Sequence, residues 1–236
     1  VDAGALAAGA KTIGLSLTAT QIEALALFER RLYEANAVMN LTRVPQAECW
    51  TRHFLDSLVL SPYIPTGSTV LDIGSGPGLP GAVLALARPD LRVTCLDSGG
   101  KPVRFMSGLF GPEGPLPVLF QVLQLRAEDA AIDGKYRERY DVVTGRAIAP
   151  FPVQAEISAP FASVGGSFLP LRTPAERDEI VRFPASQLGL ALTDLKVVRV
   201  PGIGADRLIP AFTKRGRTPK EFPRTWSAIK ANPIQA

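Results

Sequence analysis

Asp72, Gly74, Gly76, Gly78 and Gly81 stand close together in VLDIGSGPGLPG, Val70 to Gly81. Val70, Leu71 and Ile73 make an apolar, β-branched run cut off by glycine, which predicts a strand buried on both faces. Ala82 to Ala87, AVLALA, consists mostly of helix formers. Strand, glycine turn and helix in that order build a small-molecule cradle. Glycine lets the backbone turn tightly and approach a ligand closely, and a helix start offers unpaired N–H groups. Asp97 ends a second apolar run, Arg92 to Asp97, and an acid at that place suits ribose hydroxyls. Acid–base and metal chemistry are poorly supplied. His53 is the only histidine, so no metal site is expected, and no Tyr-x-x-x-Lys pair or nucleophile motif is found.

The elements that must position these residues follow from pattern. A helix starts at Leu17-Thr18, with Ile22, Leu25, Phe28 and Leu32 on one face, and ends at Asn40-Leu41-Thr42. A second helix carries Cys49 to Leu60 and is closed by Pro62 and Pro65; His53 and Asp56, three apart on it, are placed to pair. Residues 1–14, rich in Ala and Gly, read as weakly ordered. Strands are predicted over 68–73, 92–97, 118–125, 141–145, 167–171, 195–200 and 207–213. Helices are predicted over 101–110, after Pro152 and over 175–188, and a loop over 111–117. The short PGIGA link makes the last two strands an antiparallel hairpin. The result is an α/β, Rossmann-like sheet of seven strands with its last pair antiparallel, in three parts: a helical extension (1–64), the sheet domain (65–213) and a basic tail (214–236).

Of 236 residues, 46% are hydrophobic and 20% charged, as in soluble globular proteins. No apolar run is long enough for a membrane span, and no basic-then-apolar leader is present. Cys49 and Cys95 make no disulfide framework, which suits a reducing cytoplasm. Net charge is +4, and its distribution is uneven. Lys214 to Ala236 carries +5 and leaves the remainder at −1. Arg215, Arg217, Lys220, Arg224 and Lys230, with Phe222 and Trp226 among them, read either as phosphate contacts for RNA or as a solvated tail.

Two templates fit the glycines. Gly76, Gly78 and Gly81 are spaced as GxGxxG, the dinucleotide fingerprint of an NAD(P) oxidoreductase. Asp72-x-Gly74-x-Gly76-x-Gly78 is the acid-x-Gly-x-Gly-x-Gly order of class I S-adenosylmethionine (SAM) methyltransferases. The acid just before the first glycine favours the second register; a purely structural turn is the third reading, as in a non-catalytic SAM- or RNA-binding module.

Asn40-Leu41-Thr42, RHFLDSL (Arg52 to Leu58), DIGSGPGLPG, LDSGGKPVRF (Leu96 to Phe105), RAEDAA and RERYDVVTGRAIAP (Arg137 to Pro150) follow one another in order. Together they resemble the bacterial small-subunit rRNA guanine-N7 methyltransferase family. The resemblance implies methyl transfer from SAM to a guanine N7 of 16S rRNA, in its 530 loop, with the small ribosomal subunit or an intermediate as partner, by a cytoplasmic monomer. It implies cofactor contacts at Asp72, Gly74, Gly76, Gly78, Leu79, Asp97, Ser98, Gly99, Ala127, Glu128 and Arg146. Arg146 ends strand four, where acceptor meets donor, so it is also the candidate catalytic residue; its bland alternative is an ion pair with Asp72 or Asp97. The chain departs from the family's pattern at Ala35, at Gly145 and at Leu171-Arg172-Thr173.

Overall fold

The computed structural model describes residues 2–111, 113–116 and 119–235. Strands β1 (Thr69–Ile73), β2 (Arg92–Asp97), β3 (Phe120–Gln124), β4 (Tyr140–Arg146), β5 (Ala162–Leu171), β6 (Leu190–Arg199) and β7 (Asp206–Lys214) form one sheet in the order β3-β2-β1-β4-β5-β7-β6. β1 pairs in parallel with β2 on one side and β4 on the other, so the winding reverses between β1 and β4. Ligands bind at such a reversal, outside the carboxyl ends of the strands. β7 lies antiparallel between β5 and β6, as the PGIGA link predicts.

The helices are α1 (Ala3–Thr12), α2 (Ala19–Met39), α3 (Asp56–Leu58), α4 (Gly81–Ala87), α5 (Gly100–Phe110), α6 (Ala127–Ala130), α7 (Phe151–Ser158), α8 (Arg177–Arg182) and α9 (Trp226–Ala231). Side chains alternate across β1: Val70 joins the apolar layer under α2, α4 and α5, and Leu71 and Ile73 join the layer under α7 and α9. A reciprocal Thr18–Gln21 capping box starts α2 and left-handed Asn40 ends it. Phe28, fully buried on α2, meets Phe54, Phe105 and Phe110 at ring-centroid distances of 6.0–6.3 Å, which ties the helical extension to the sheet domain.

Four expectations need correction. Residues 1–14 are not loose: α1 buries Leu6 and Ala10, because Gly9 lies where any Cβ would come within 2.5 Å of Leu55 Cδ1. The 49–60 helix is π-helical over Trp50–Leu55 before turning α-helical. The 175–188 helix is broken, since Pro184 has no N–H to continue α8. β5 and β6 start earlier than predicted, at Ala162 and Leu190. The third strand's predicted start, Val118, and two residues of the 111–117 loop, Pro112 and Pro117, lie outside the described residues.

Phe28→Ala should lower stability by about 3–5 kcal/mol, the cost of deleting a buried ring, read as a shift of the urea midpoint with an unchanged m-value.

Candidate active site

The chain leaves β1 through Gly74 and Gly78, whose φ values of +61° and +99° lie on the positive side that favours glycine. Two carboxylates hold this turn. Asp72, on the opposite face of β1 from Leu71 and Ile73, is fully buried and its Oδ2 accepts the Gly81 N–H at 2.7 Å. Burial pushes its carboxyl up to about 7. Asp97 works from the end of β2: Oδ2 accepts the Gly76 N–H at 2.8 Å and Oδ1 the Gly99 N–H at 2.7 Å. The turn is therefore held from within the chain.

A crevice of about 220 Å³ opens beside it, lined by Gly74, Asp97, Ser98, Ala127 and Glu128 with Ile73, Leu96, Ile148, Ile157 and Trp226. Five of the predicted cofactor residues thus share one cavity. Gly76, Gly78, Leu79 and Gly99 build the turns around it without lining it. Asp72 does not line the crevice either: it lies on the opposite face of β1 from Ile73 and holds the start of α4 through Gly81.

Arg146 faces a second cleft, of about 560 Å³, on the β4–β5 side. Its Nη1 donates to Asp56 Oδ2 at 2.5 Å and to the Arg52 carbonyl at 3.1 Å. Asp56 Oδ1 accepts from Arg207 Nε at 2.6 Å. The ion-pair partner of Arg146 is therefore Asp56, and neither Asp72 nor Asp97. The His53–Asp56 pair does not form either. His53 Nε2 lies 2.8 Å from Thr42 Oγ1, while Nδ1 faces Arg146 Nη2 at 3.5 Å. Burial, then Arg146, pulls this imidazole down to about 4, so it is neutral at pH 7.

Sequence reasoning missed Arg207, and marked Arg172 only as part of a departure from the family's pattern. Arg207 is far from the motifs in the chain, but β7 runs antiparallel and so returns its amino end to the carboxyl edge of the parallel strands. Arg172, just past β5, is buried; it donates to the Ala149 carbonyl at 3.0 Å and to Gln154 Oε1 at 2.7 Å, and pairs with Glu176. The signal for both was their place at strand ends on one edge of the sheet. Ile148 lines both cavities, and it packs where a Cβ on Gly145 would lie 2.5 Å from its Cδ1. A single aliphatic side chain stands between the two clefts.

The basic tail is corrected in part. Lys214 belongs to β7 and is buried, and burial lowers its amine to about 8. The Arg224 side chain makes two hydrogen bonds, at 2.9 and 2.6 Å, to the fully buried Glu156, and its backbone N–H a third, which anchors it to the fold. Arg215, Arg217, Lys220 and Lys230 are exposed, Arg217 within 3.6 Å of Glu138.

Residues 21–207 match the model of the GidB family, described as rRNA small subunit methyltransferase G. The chain belongs to this family. A ribosomal RNA small subunit methyltransferase G of Roseiflexus castenholzii is 36% identical over 94% of this chain and 95% of its own. That of Pelotomaculum thermopropionicum is 32% identical over 96% of each. Among solved structures, a predicted O-methyltransferase of Agrobacterium tumefaciens superposes with a TM-score of 0.53 at 20% identity, over 70% of this chain and 80% of that one. The Burkholderia thailandensis 1,6-didemethyltoxoflavin-N1-methyltransferase, solved with S-adenosylhomocysteine, gives 0.51 at 16% identity, over 85% and 92%. Both likenesses place the GidB-family chain in the class I methyltransferase fold.

The buried imidazole sets a pH signature. Between pH 6.5 and 4 the unfolded chain takes a proton at His53 that the folded chain refuses, so the His53 contribution to stability falls as pH drops through this window, by roughly 2–3 kcal/mol at pH 4. Asp72, whose carboxyl burial raises to about 7, acts in the opposite sense over the same range, so the test is a comparison: going from pH 7 to 4.5 should cost the unaltered protein more stability, or gain it less, than it does His53→Gln, read from urea midpoints.

Proposed function

We propose that the chain transfers a methyl group from SAM to N7 of a guanine in 16S rRNA. The observation that carries this is the meeting of two clefts at Ile148, one built for a nucleoside donor and one lined with guanidinium groups. The donor crevice fits SAM. Asp97 offers a carboxylate to ribose hydroxyls, Ile73, Leu96 and Ile157 an apolar slot, and Gly74 bare backbone for the amino-acid end. When bound, SAM supplies an electrophilic methyl on a sulfonium.

What remains for the protein is placement. Guanine N7 has a free lone pair at neutral pH, so no general base is needed. That agrees with a site whose only histidine is buried and neutral and whose Asp72 faces away from the crevice. Rate then comes from alignment and from excluding water, which can supply roughly 7–11 kcal/mol. Asp56 fixes Arg146 and Arg207 side by side, so both guanidinium groups are positioned before an acceptor arrives. Two cations on one carboxylate leave a net positive charge there, suited to the phosphate and carbonyl oxygens of a nucleotide. A paired RNA helix hides the N7 edge in a narrow groove, so the target is an unpaired guanine. Arg215, Arg217, Lys220 and Lys230 are the proposed outlying phosphate contacts. The proposed working unit is a single chain in the cytoplasm, where its substrate resides. Among the described residues no helix is long and apolar enough to cross a membrane.

Incubating the protein and SAM with undermethylated 16S rRNA and small subunits should create one 7-methylguanosine, mapped by mass spectrometry; modification elsewhere, or none with either substrate, would refute the reading. Arg146→Ala and Arg207→Ala should each lower kcat/KM about 10- to 100-fold, the loss of one charge-assisted hydrogen bond. Replacing Arg215, Arg217 and Lys220 with Ala should flatten the dependence of RNA affinity on salt; an unchanged slope removes the tail from the interface.

A further inference from the structure

We propose that Trp226, carried in from the C-terminal segment, is the outer wall of the base subsite and packs against the adenine of bound SAM. The inference rests on the SAM reading above. Trp226 lines the same crevice as Asp97, Ala127 and Glu128, although sequence position assigns it to a basic tail. Sheet order fixes which end of the donor it meets. The arginine cleft lies over β4 and β5, the glycine turn follows β1, and Asp97 ends β2. A donor whose methyl points to the arginine cleft and whose ribose sits at Asp97 therefore places its base past the end of β3. Arg126, Ala127 and Glu128 stand there, and Trp226 stands against them.

The indole is held firmly enough to serve as a wall. Arg137 donates to the Phe222 carbonyl at 2.9 Å and to the Thr218 carbonyl at 2.8 Å. Arg224 is pinned to Glu156, and Ile229, one turn past Trp226, is fully buried. Arg126 reaches back over the ring, its guanidinium carbon 5.4 Å from the ring centroid, and its Nε donates to Glu128 Oε1 at 2.5 Å. Trp226 is itself only partly buried, so it retains surface to give to a ligand. A purine packed on an aromatic ring is stabilised without any requirement for hydrogen-bond geometry. Trp226 is thus a cofactor-binding residue with no part in acceptor chemistry, and the last segment of the chain serves the donor site.

The chain has two tryptophans, Trp50 and Trp226, which allows a direct reading. In a Trp50→Phe protein, saturating S-adenosylhomocysteine should quench the remaining emission. By calorimetry, Trp226→Ala should raise the Kd for S-adenosylhomocysteine about tenfold, ~1.4 kcal/mol, while Trp226→Phe stays within about threefold. Unchanged emission while calorimetry shows the ligand bound overturns the proposal, as does a Trp226→Ala protein that binds as tightly as the unaltered one. If Trp226→Ala does not fold, the emission of the Trp50→Phe protein decides alone. Failure of the unaltered protein to bind S-adenosylhomocysteine would instead remove the SAM reading, and this proposal with it.

Discussion

One buried carboxylate holds the site together. Asp56 is almost fully enclosed, and a charge so placed must be paired or it destabilises the fold. Its two oxygens take one guanidinium each, Arg146 from β4 and Arg207 from β7. The helical extension, the centre of the sheet and its antiparallel end are thereby tied at a single point. The same contacts give the arginine cleft its shape. An ion pair that would be worth little on the surface here fixes the geometry of two cations at the edge of a cavity.

The donor side is organised on the same plan. Asp72 grips the glycine turn from below through Gly81, and Asp97 grips it from the side through Gly76. Both contacts are made within the chain. A turn held in this way loses little further freedom on binding, which lowers the entropic cost of capture. Each half of the site is thus braced by carboxylates of the chain, and Ile148 lines both.

The strand–turn–helix reading from Val70 to Ala87 matches the structure because local chemistry decides it: β-branched residues, then positive-φ glycines, then helix formers. The antiparallel end of the sheet was legible for the same reason, since PGIGA is too short for a crossover. Contacts between distant segments were not legible. Asp56 and Arg207 are 151 residues apart, and no spacing rule joins them. Arg224 looked like free charge because Glu156, its buried partner, carries no mark in the sequence. Gly9 looked like flexibility, and it is instead a clearance for Leu55. Composition described the tail as solvated or RNA-bound, whereas Ile229 and Ile234 bury against the sheet.

The reversal of direction at β7 has an outcome for how the molecule can be divided. A fragment that ends between Arg146 and Arg207 contains the entire glycine motif, the donor acids and Arg146, yet leaves one oxygen of Asp56 without its Arg207 partner. Such a piece would carry every signature by which its kind is recognised and still lack the balance of charge that keeps its own interior closed. The hairpin at the sheet's far edge is for this reason a keystone, set last, on which the earlier courses lean.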